Sequence, residues 1–197
     1  MSALGFKDEI NIIKMPLGVH ISKAPNREIK YLAIHFTAGS SSKAGSAKSV
    51  KHVFEQRKAS ADFCVDDRDM VQFNPDLHNY YCWAVGDGNG KYGVTNKNSI
   101  SIEICSSLKK GTSAAVPNHS GWYFTDAALE NAVKLSKYLM KKYNIPIDRV
   151  IRHYDASRKS CPGLVGWNDG TLYKEDGSKT KEKNNSNEWI KFKKKLG

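Results

Sequence analysis

The hydrophobic pattern of the chain changes period several times, and each change marks an element. Residues 30–36, Lys-Tyr-Leu-Ala-Ile-His-Phe, form an almost unbroken apolar run that predicts a buried strand. Thr37-Ala38-Gly39-Ser40 behind it is rich in turn formers. Over 46–57, Val50, Val53 and Phe54 recur at helical spacing, with Ser46 in position to cap that helix. Residues 61–65 and 70–73 flank Asp66-Asp67-Arg68-Asp69 as the arms of a hairpin. Gly and Asn crowd 84–98, which reads as a loop. Residues 99–105 alternate strictly: Ile100, Ile102 and Ile104 point one way, and Ser99, Ser101, Glu103 and Cys105 the other. A lone carboxylate among small side chains is an odd choice for a core face.

The clearest helix covers 125–143. Thr125 caps it, Asp126 suits its first turn and lysines gather near its end. Leu129, Ala132, Val133, Leu139 and Tyr143 make the apolar stripe, opposite Glu130, Lys134, Lys137 and Lys141. Pro146 ends the element, and 149–153 is a short strand. Residues 168–185 are polar, with Gly170 and Gly177 marking turns, and read as a surface excursion. A last amphipathic helix over 186–197 directs Trp189, Ile190 and Phe192 inward. Strands interleaved with helices predict an α/β fold, a central mixed β-sheet flanked by helices. All of 1–197 reads as one domain, with its motif-bearing core at 28–167.

Composition narrows this picture only slightly. A chain of 197 residues, 40% hydrophobic and 26% charged, has the make-up of a soluble globular domain. No apolar stretch is long enough to cross a bilayer. The segment before Leu17 mixes charged and apolar residues (Phe6-Lys7-Asp8-Glu9-Ile10) and lacks a secretory signal pattern. Lys and Arg outnumber Asp and Glu by 31 to 20, a net charge of +11. That suits a polyanion such as nucleic acid, anionic lipid or teichoic acid, and equally a plain solvated surface. The four cysteines, Cys64, Cys82, Cys105 and Cys161, are dispersed without a CxxC pair, so no disulfide framework is expected. Cys64 and Cys105 lie in apolar runs as small hydrophobes, whereas Cys161 stands among polar residues.

Candidate chemistry gathers on His35, His153 and Cys161. The histidines lie near the C-terminal ends of two separate strands, which side by side would bring their imidazoles together. Cys161 follows His153 by eight residues, across a loop long enough to fold back. Two imidazoles and one thiolate give zinc three protein ligands and leave a fourth position open, the catalytic arrangement. The plainer reading of each histidine is a hydrogen-bonded core residue. Glu103 is placed to serve as a base in metal-assisted hydrolysis, or is a surface carboxylate on an edge strand. Lys159 is placed to stabilise an oxyanion, or is one more solvated lysine.

These residues carry a family resemblance. Ile34-His35-Phe36-Thr37-Ala38-Gly39 resembles the first zinc-ligand motif of the type-2 N-acetylmuramoyl-L-alanine amidases, which include phage endolysins, amidase-type lysozymes and peptidoglycan recognition proteins. The stretch Ser99-Ile100-Ser101-Ile102-Glu103-Ile104-Cys105 resembles the strand that bears their catalytic glutamate. Arg152-His153-Tyr154-Asp155 with Lys159-Ser160-Cys161-Pro162-Gly163 matches the last motif, and Trp83 with Gly86-Asp87-Gly88 resembles the loop before the glutamate strand. The resemblance implies Zn2+ held by His35, His153 and Cys161 in an open surface groove, with Glu103 as general base then acid and Lys159 at the oxyanion. It implies as reaction the hydrolysis of the amide between the N-acetylmuramic acid lactyl group and L-alanine of bacterial peptidoglycan. As setting it implies a phage or prophage endolysin or an autolysin, held in the host cytoplasm until a holin-like protein releases it. Teichoic acids would attract the positive charge. Neither nucleic acid nor membrane insertion is expected.

This chain departs from the family pattern at three places: Phe36 stands where relatives often have a second histidine, Asp62-Phe63 where they show a His-aromatic pair, and Ala84 where a His follows the tryptophan. The departures concern the groove lining and leave the metal ligands intact. Trp83 and Asp62 are candidate substrate contacts, Asp62 being alternatively a hairpin surface carboxylate. Tyr80, Tyr81 and Trp122 are further candidates for an aromatic wall, or for core. A non-catalytic peptidoglycan-recognition module is the main alternative, against which Cys161 speaks. A cysteine hydrolase built on Cys161 and His153 lacks a helix start after the cysteine, and Pro162 offers no N–H there. A nucleic-acid binder has only the net charge in its favour.

Overall fold

A strand with no solvent-facing side belongs in the middle of a sheet, and the stretch around Glu103 occupies that place. A computed structural model of the chain describes residues 10–39 and 41–197, so the readings that touched residues 1–9 and Ser40 fall outside it. Among the described residues, the first half contributes β1 (Ile13–Lys14), β2 (Ile21–Lys23), β3 (Tyr31–Phe36), α1 (Ser46–Gln56), β4 (Phe63–Val65), β5 (Met70–Gln72) and β6 (Tyr80–Cys82). The second half adds β7 (Ser99–Ile104), β8 (Ser107–Leu108), β9 (Trp122–Tyr123), α2 (Asp126–Tyr143), β10 (Val150–Arg152), α3 (His153–Ser157), β11 (Thr171–Tyr173), β12 (Lys179–Lys183) and α4 (Asn187–Leu196). Six strands form one sheet in the order β1-β5-β4-β7-β3-β10. Its centre is parallel, β4 with β7, β7 with β3 and β3 with β10, and the β4–β5 hairpin adds the one antiparallel pairing. The sheet is mixed, as the strand–helix alternation implied.

Helices cover both faces. Ile100, Ile102 and Ile104 pack with Leu32 and Ile34 beneath Ala128, Ala132, Leu135 and Leu139 of α2. On the other face Cys64, Val71, Phe73 and Cys105 meet Ala47 and Phe54 of α1. The alternation along β7 therefore separates two cores rather than a core from water. Cys64 and Cys105 are free, fully buried thiols in contact at 3.6 Å, behaving as the small hydrophobes expected of them. Among the described residues no helix is long and apolar enough to cross a membrane.

Local signals held where capping was local. Thr125 accepts the Ala128 N–H and starts α2 as its position predicted. Ser46 does not cap α1; it is the helix's first residue, and Gly45 precedes it with φ 92°. The cap comes from elsewhere: the buried Asp66 carboxylate, in the β4–β5 turn, accepts N–H groups from Ala47, Arg68 and Asp69 at 2.7–2.9 Å. One aspartate thus binds a helix start and a hairpin turn together. On α2 the buried stripe is Ala128, Ala132, Leu135, Ser136 and Leu139, with Leu129 and Val133 half-buried at its margin.

Two expectations near the C-terminus need correction, and a third gains detail. The strand expected over 149–153 covers Val150–Arg152, and His153 opens a helix instead. Residues 168–185, read as a polar surface excursion, carry β11 and β12 paired as a largely exposed hairpin. Asn118 pins that hairpin to the body by accepting from Tyr173 N–H at its carbonyl and from Asn184 at its side chain. In α4, Trp189 and Phe192 are buried against Trp167 and Leu196 is buried in the same core, while Ile190 is 49% exposed.

The α4 contacts make a direct test. Trp189→Ala is expected to cost roughly 3–5 kcal/mol of unfolding free energy, and Ile190→Ala to stay within about 0.5 kcal/mol of wild type. Urea unfolding of both variants measures the contrast.

Candidate metal centre

The site is a product of register. In the parallel pair β3–β7, His35 lies opposite Glu103. In the pair β3–β10, Ile34 lies opposite Arg152, so the next residue, His153, arrives beside His35. Aligned residues on neighbouring strands share a face, and the two imidazole centroids are 4.6 Å apart. Cys161 returns to the same point because Tyr154 N–H donates to its carbonyl at 2.9 Å, closing the loop that begins with α3. Its Sγ lies 3.7 Å from His35 Nδ1. One donor atom from each of His35, His153 and Cys161 lies within 4.8 Å of the others, and all three residues are buried. Residues 154–160, read as loop, supply part of this geometry as a short helix. Arg152 anchors that helix through Asp155, and through the Trp167 carbonyl and the Ser186 hydroxyl.

The surroundings of His35 and Cys161 set the state of these donors. Burial, with the charges of His153 and Lys159, holds His35 well below the usual histidine range, so its imidazole is neutral and keeps a lone pair. His35 Nε2 is buried without a hydrogen-bond partner, an uncommon state for a polar atom. Burial, reinforced by Glu103, pushes the Cys161 thiol up, against the opposing Phe36 N–H and Lys159. A thiol held in its protonated form is a poor nucleophile, which counts against the cysteine-hydrolase reading. A neutral imidazole at His35, a second imidazole at His153 and a buried thiol at Cys161 form a donor set that would suit zinc, which binds through imidazole lone pairs and thiolate sulfur.

These groups open into a groove of about 650 Å³ that Glu103 and Lys159 also line. Glu103 stands on a central strand rather than an edge, half-buried, with its Oε2 enclosed and unpartnered. Burial raises its pKa to about 8 in spite of the nearby Lys159 charge. Lys159 is exposed at the groove mouth. Val50 and Val53 of α1 line the groove, and Trp83 lines it with an aromatic ring. Trp83 is 37% exposed, donates its indole N–H to Ser22 at 2.9 Å and lies against the His20 ring.

The remaining aromatic candidates fare differently. Trp122 reaches the groove but is 4% exposed, with its indole N–H on the Val116 carbonyl, so it is floor rather than wall. Tyr80 and Tyr81 lie on β6 and do not line the groove. Asp62 is neither a groove contact nor a surface carboxylate. It is 1% exposed, accepts the Ser101 N–H and hydroxyl and the Asn74 amide, and faces the Arg27 guanidinium at 3.8 Å. Its work is to brace β7 from the hairpin side. Asp87 is the site residue that sequence reasoning passed over. It sat in the quoted Gly86-Asp87-Gly88 segment with no role, and its carboxylate meets His153.

Comparison with known proteins identifies the family to which this fold belongs. The N-acetylmuramoyl-L-alanine amidase family matches residues 25–164, which include β3, β7, β10 and all three donor residues. The chain is similar to N-acetylmuramoyl-L-alanine amidase CwlA of Bacillus subtilis (strain 168), 33% identical over 144 residues, covering 73% of this chain and 47% of that protein. It is similar also to N-acetylmuramoyl-L-alanine amidase CwlH of the same organism, 34% identical over 141 residues, 70% of this chain and 50% of that one. The chain thus spans about half the length of the curated relatives it matches. Among solved structures, a mutant endolysin from Bacillus subtilis superposes with a TM-score of 0.63 at 29% identity, covering 96% of this chain and 100% of that one. The catalytic domain of XlyA gives 0.61 at 28% identity, covering 95% and 100%. The chain belongs to the N-acetylmuramoyl-L-alanine amidase family.

Proposed function

We propose that this protein hydrolyses the amide between the N-acetylmuramic acid lactyl group and L-alanine in peptidoglycan, with zinc held by His35, His153 and Cys161. The observation that carries the reading is the convergence of those three donors within 4.8 Å in one groove with Glu103 and Lys159. A zinc ion held there supplies Lewis-acid polarisation of water and of the scissile carbonyl. Glu103 takes a proton as water adds to the carbonyl carbon and delivers it to the nitrogen as the C–N bond breaks. The products are the lactyl carboxylate and the free amine of L-alanine. A carboxyl poised near neutral pH suits both halves of that exchange. Lys159, a fixed positive charge at the groove, stabilises the developing oxyanion. Trp83 offers a flat apolar face to the polymer.

An open groove admits a polymeric substrate, and the +11 charge gives loose attraction to wall teichoic acids. The setting that fits best is a phage or prophage endolysin or an autolysin, the former released to the wall by a holin-like partner. A non-catalytic recognition module is the weaker reading, because the thiol donor and the enclosed glutamate are both in place.

The assay is release of free L-alanine amino groups from purified Gram-positive walls, with and without chelator. Chelator-sensitive release without new reducing sugar ends is expected; wall binding without cleavage would favour the recognition module. Glu103→Gln should keep stoichiometric zinc and lose at least about 100-fold in turnover, whereas near-normal turnover would remove Glu103 from its role. Cys161→Ser should lose the metal itself, measured by metal analysis after dialysis.

A further inference from the structure

A carboxylate outside the proposed ligand set meets one of its imidazoles. Asp87 is the middle residue of the short turn Gly86–Gly88, in the loop between β6 and β7, and its Oδ1 lies 2.7 Å from His153 Nε2. His153 is 2% exposed, so this hydrogen bond forms where water screens it little. The aspartate side chain itself is 46% exposed, and no core packing calls for it. Its second oxygen accepts the Ser157 hydroxyl at 3.4 Å, and Ser157 Oγ accepts the Lys159 N–H at 3.3 Å. One carboxylate therefore touches both the start of α3 and the segment that leads to Lys159 and Cys161.

The turn is shaped for that approach. Gly88 is buried, and a Cβ there would stand 2.3 Å from the Ala156 carbonyl oxygen. Glycine alone lets the turn rest on α3. From the other side Asn96 holds the loop, its Oδ1 accepting the N–H groups of Ala84 and Val85 at 2.9 and 2.7 Å.

A neutral imidazole carries one proton and one lone pair. An acceptor at Nε2 keeps the proton there, leaves the Nδ1 lone pair for a cation and prevents the ring from turning over. We infer that Asp87 is a positioning residue that holds His153 in the Nε2–H tautomer and thereby tightens metal binding. The inference rests on the reading of His35, His153 and Cys161 as zinc ligands.

Two readouts on the full chain test it, neither of them activity. Long-range 1H–15N NMR of the zinc-loaded protein should place the His153 proton on Nε2. Competition with a chromophoric chelator should show zinc affinity weakened about 10–100-fold in Asp87→Ala. The loss should be smaller in Asp87→Asn, which keeps a neutral acceptor. Gly88→Ala, which retains the carboxylate but pushes the turn off α3, should fall with Asp87→Ala. The amide spectrum away from the site should be unchanged in Asp87→Ala. Unaltered zinc affinity in Asp87→Ala, or a wild-type His153 protonated on Nδ1, would overturn the inference and leave the zinc site standing. Wild-type protein that takes up no zinc would overturn the proposed function and the inference with it.

Discussion

The parallel register of β7, β3 and β10 is the constraint on which the site depends. It sets Glu103 opposite His35 and delivers His153 to the other side of His35. A slip of one residue in either pairing would turn a donor to the opposite face and into the α2 core. The isoleucines of β7 prevent that slip, because Ile100, Ile102 and Ile104 are buried under α2 only when Glu103 faces away from it. Asp62 adds a polar lock by accepting both the N–H and the hydroxyl of Ser101. Hydrophobic burial on one face therefore sets the geometry of chemistry on the other.

That chemistry is electrostatically costly without a cation. An imidazole kept neutral, a thiol pushed up and a glutamate raised to about 8 share one poorly solvated spot. An apolar replacement would serve stability better. The arrangement is explained when the donors hold a dication and the glutamate works beside it, the function proposed above. Stability is supplied elsewhere, by the two-sided core and by the aromatic seam of Trp167, Trp189 and Phe192.

Much of this was legible in the sequence, for definable reasons. The strict alternation of 99–105 and the capped periodicity of 125–143 are local signals, and both elements stand where they were expected. The three donors were legible through the resemblance of their motifs to the amidase family, since spacing alone left each histidine readable as a hydrogen-bonded core residue. What escaped depended on distant partners. The cap of α1 belongs to Asp66, nineteen positions on, so Ser46 was a reasonable but wrong choice. Asp62 read as surface because its neutralising Arg27 lies 35 positions earlier in the chain. Ile190 read as core because α4 presents a narrow aromatic stripe to Trp167, and its apolar neighbour falls just outside it. Asp87 lay in the quoted glycine-rich segment with nothing to mark its role; only the fold brings it to His153.

X-ray absorption at the zinc edge of the purified protein tests the central claim most directly. The account predicts one zinc per chain with a single sulfur ligand near ~2.3 Å and two imidazole nitrogens near ~2.0–2.1 Å. A metal shell without sulfur, or with oxygen ligands only, would contradict it.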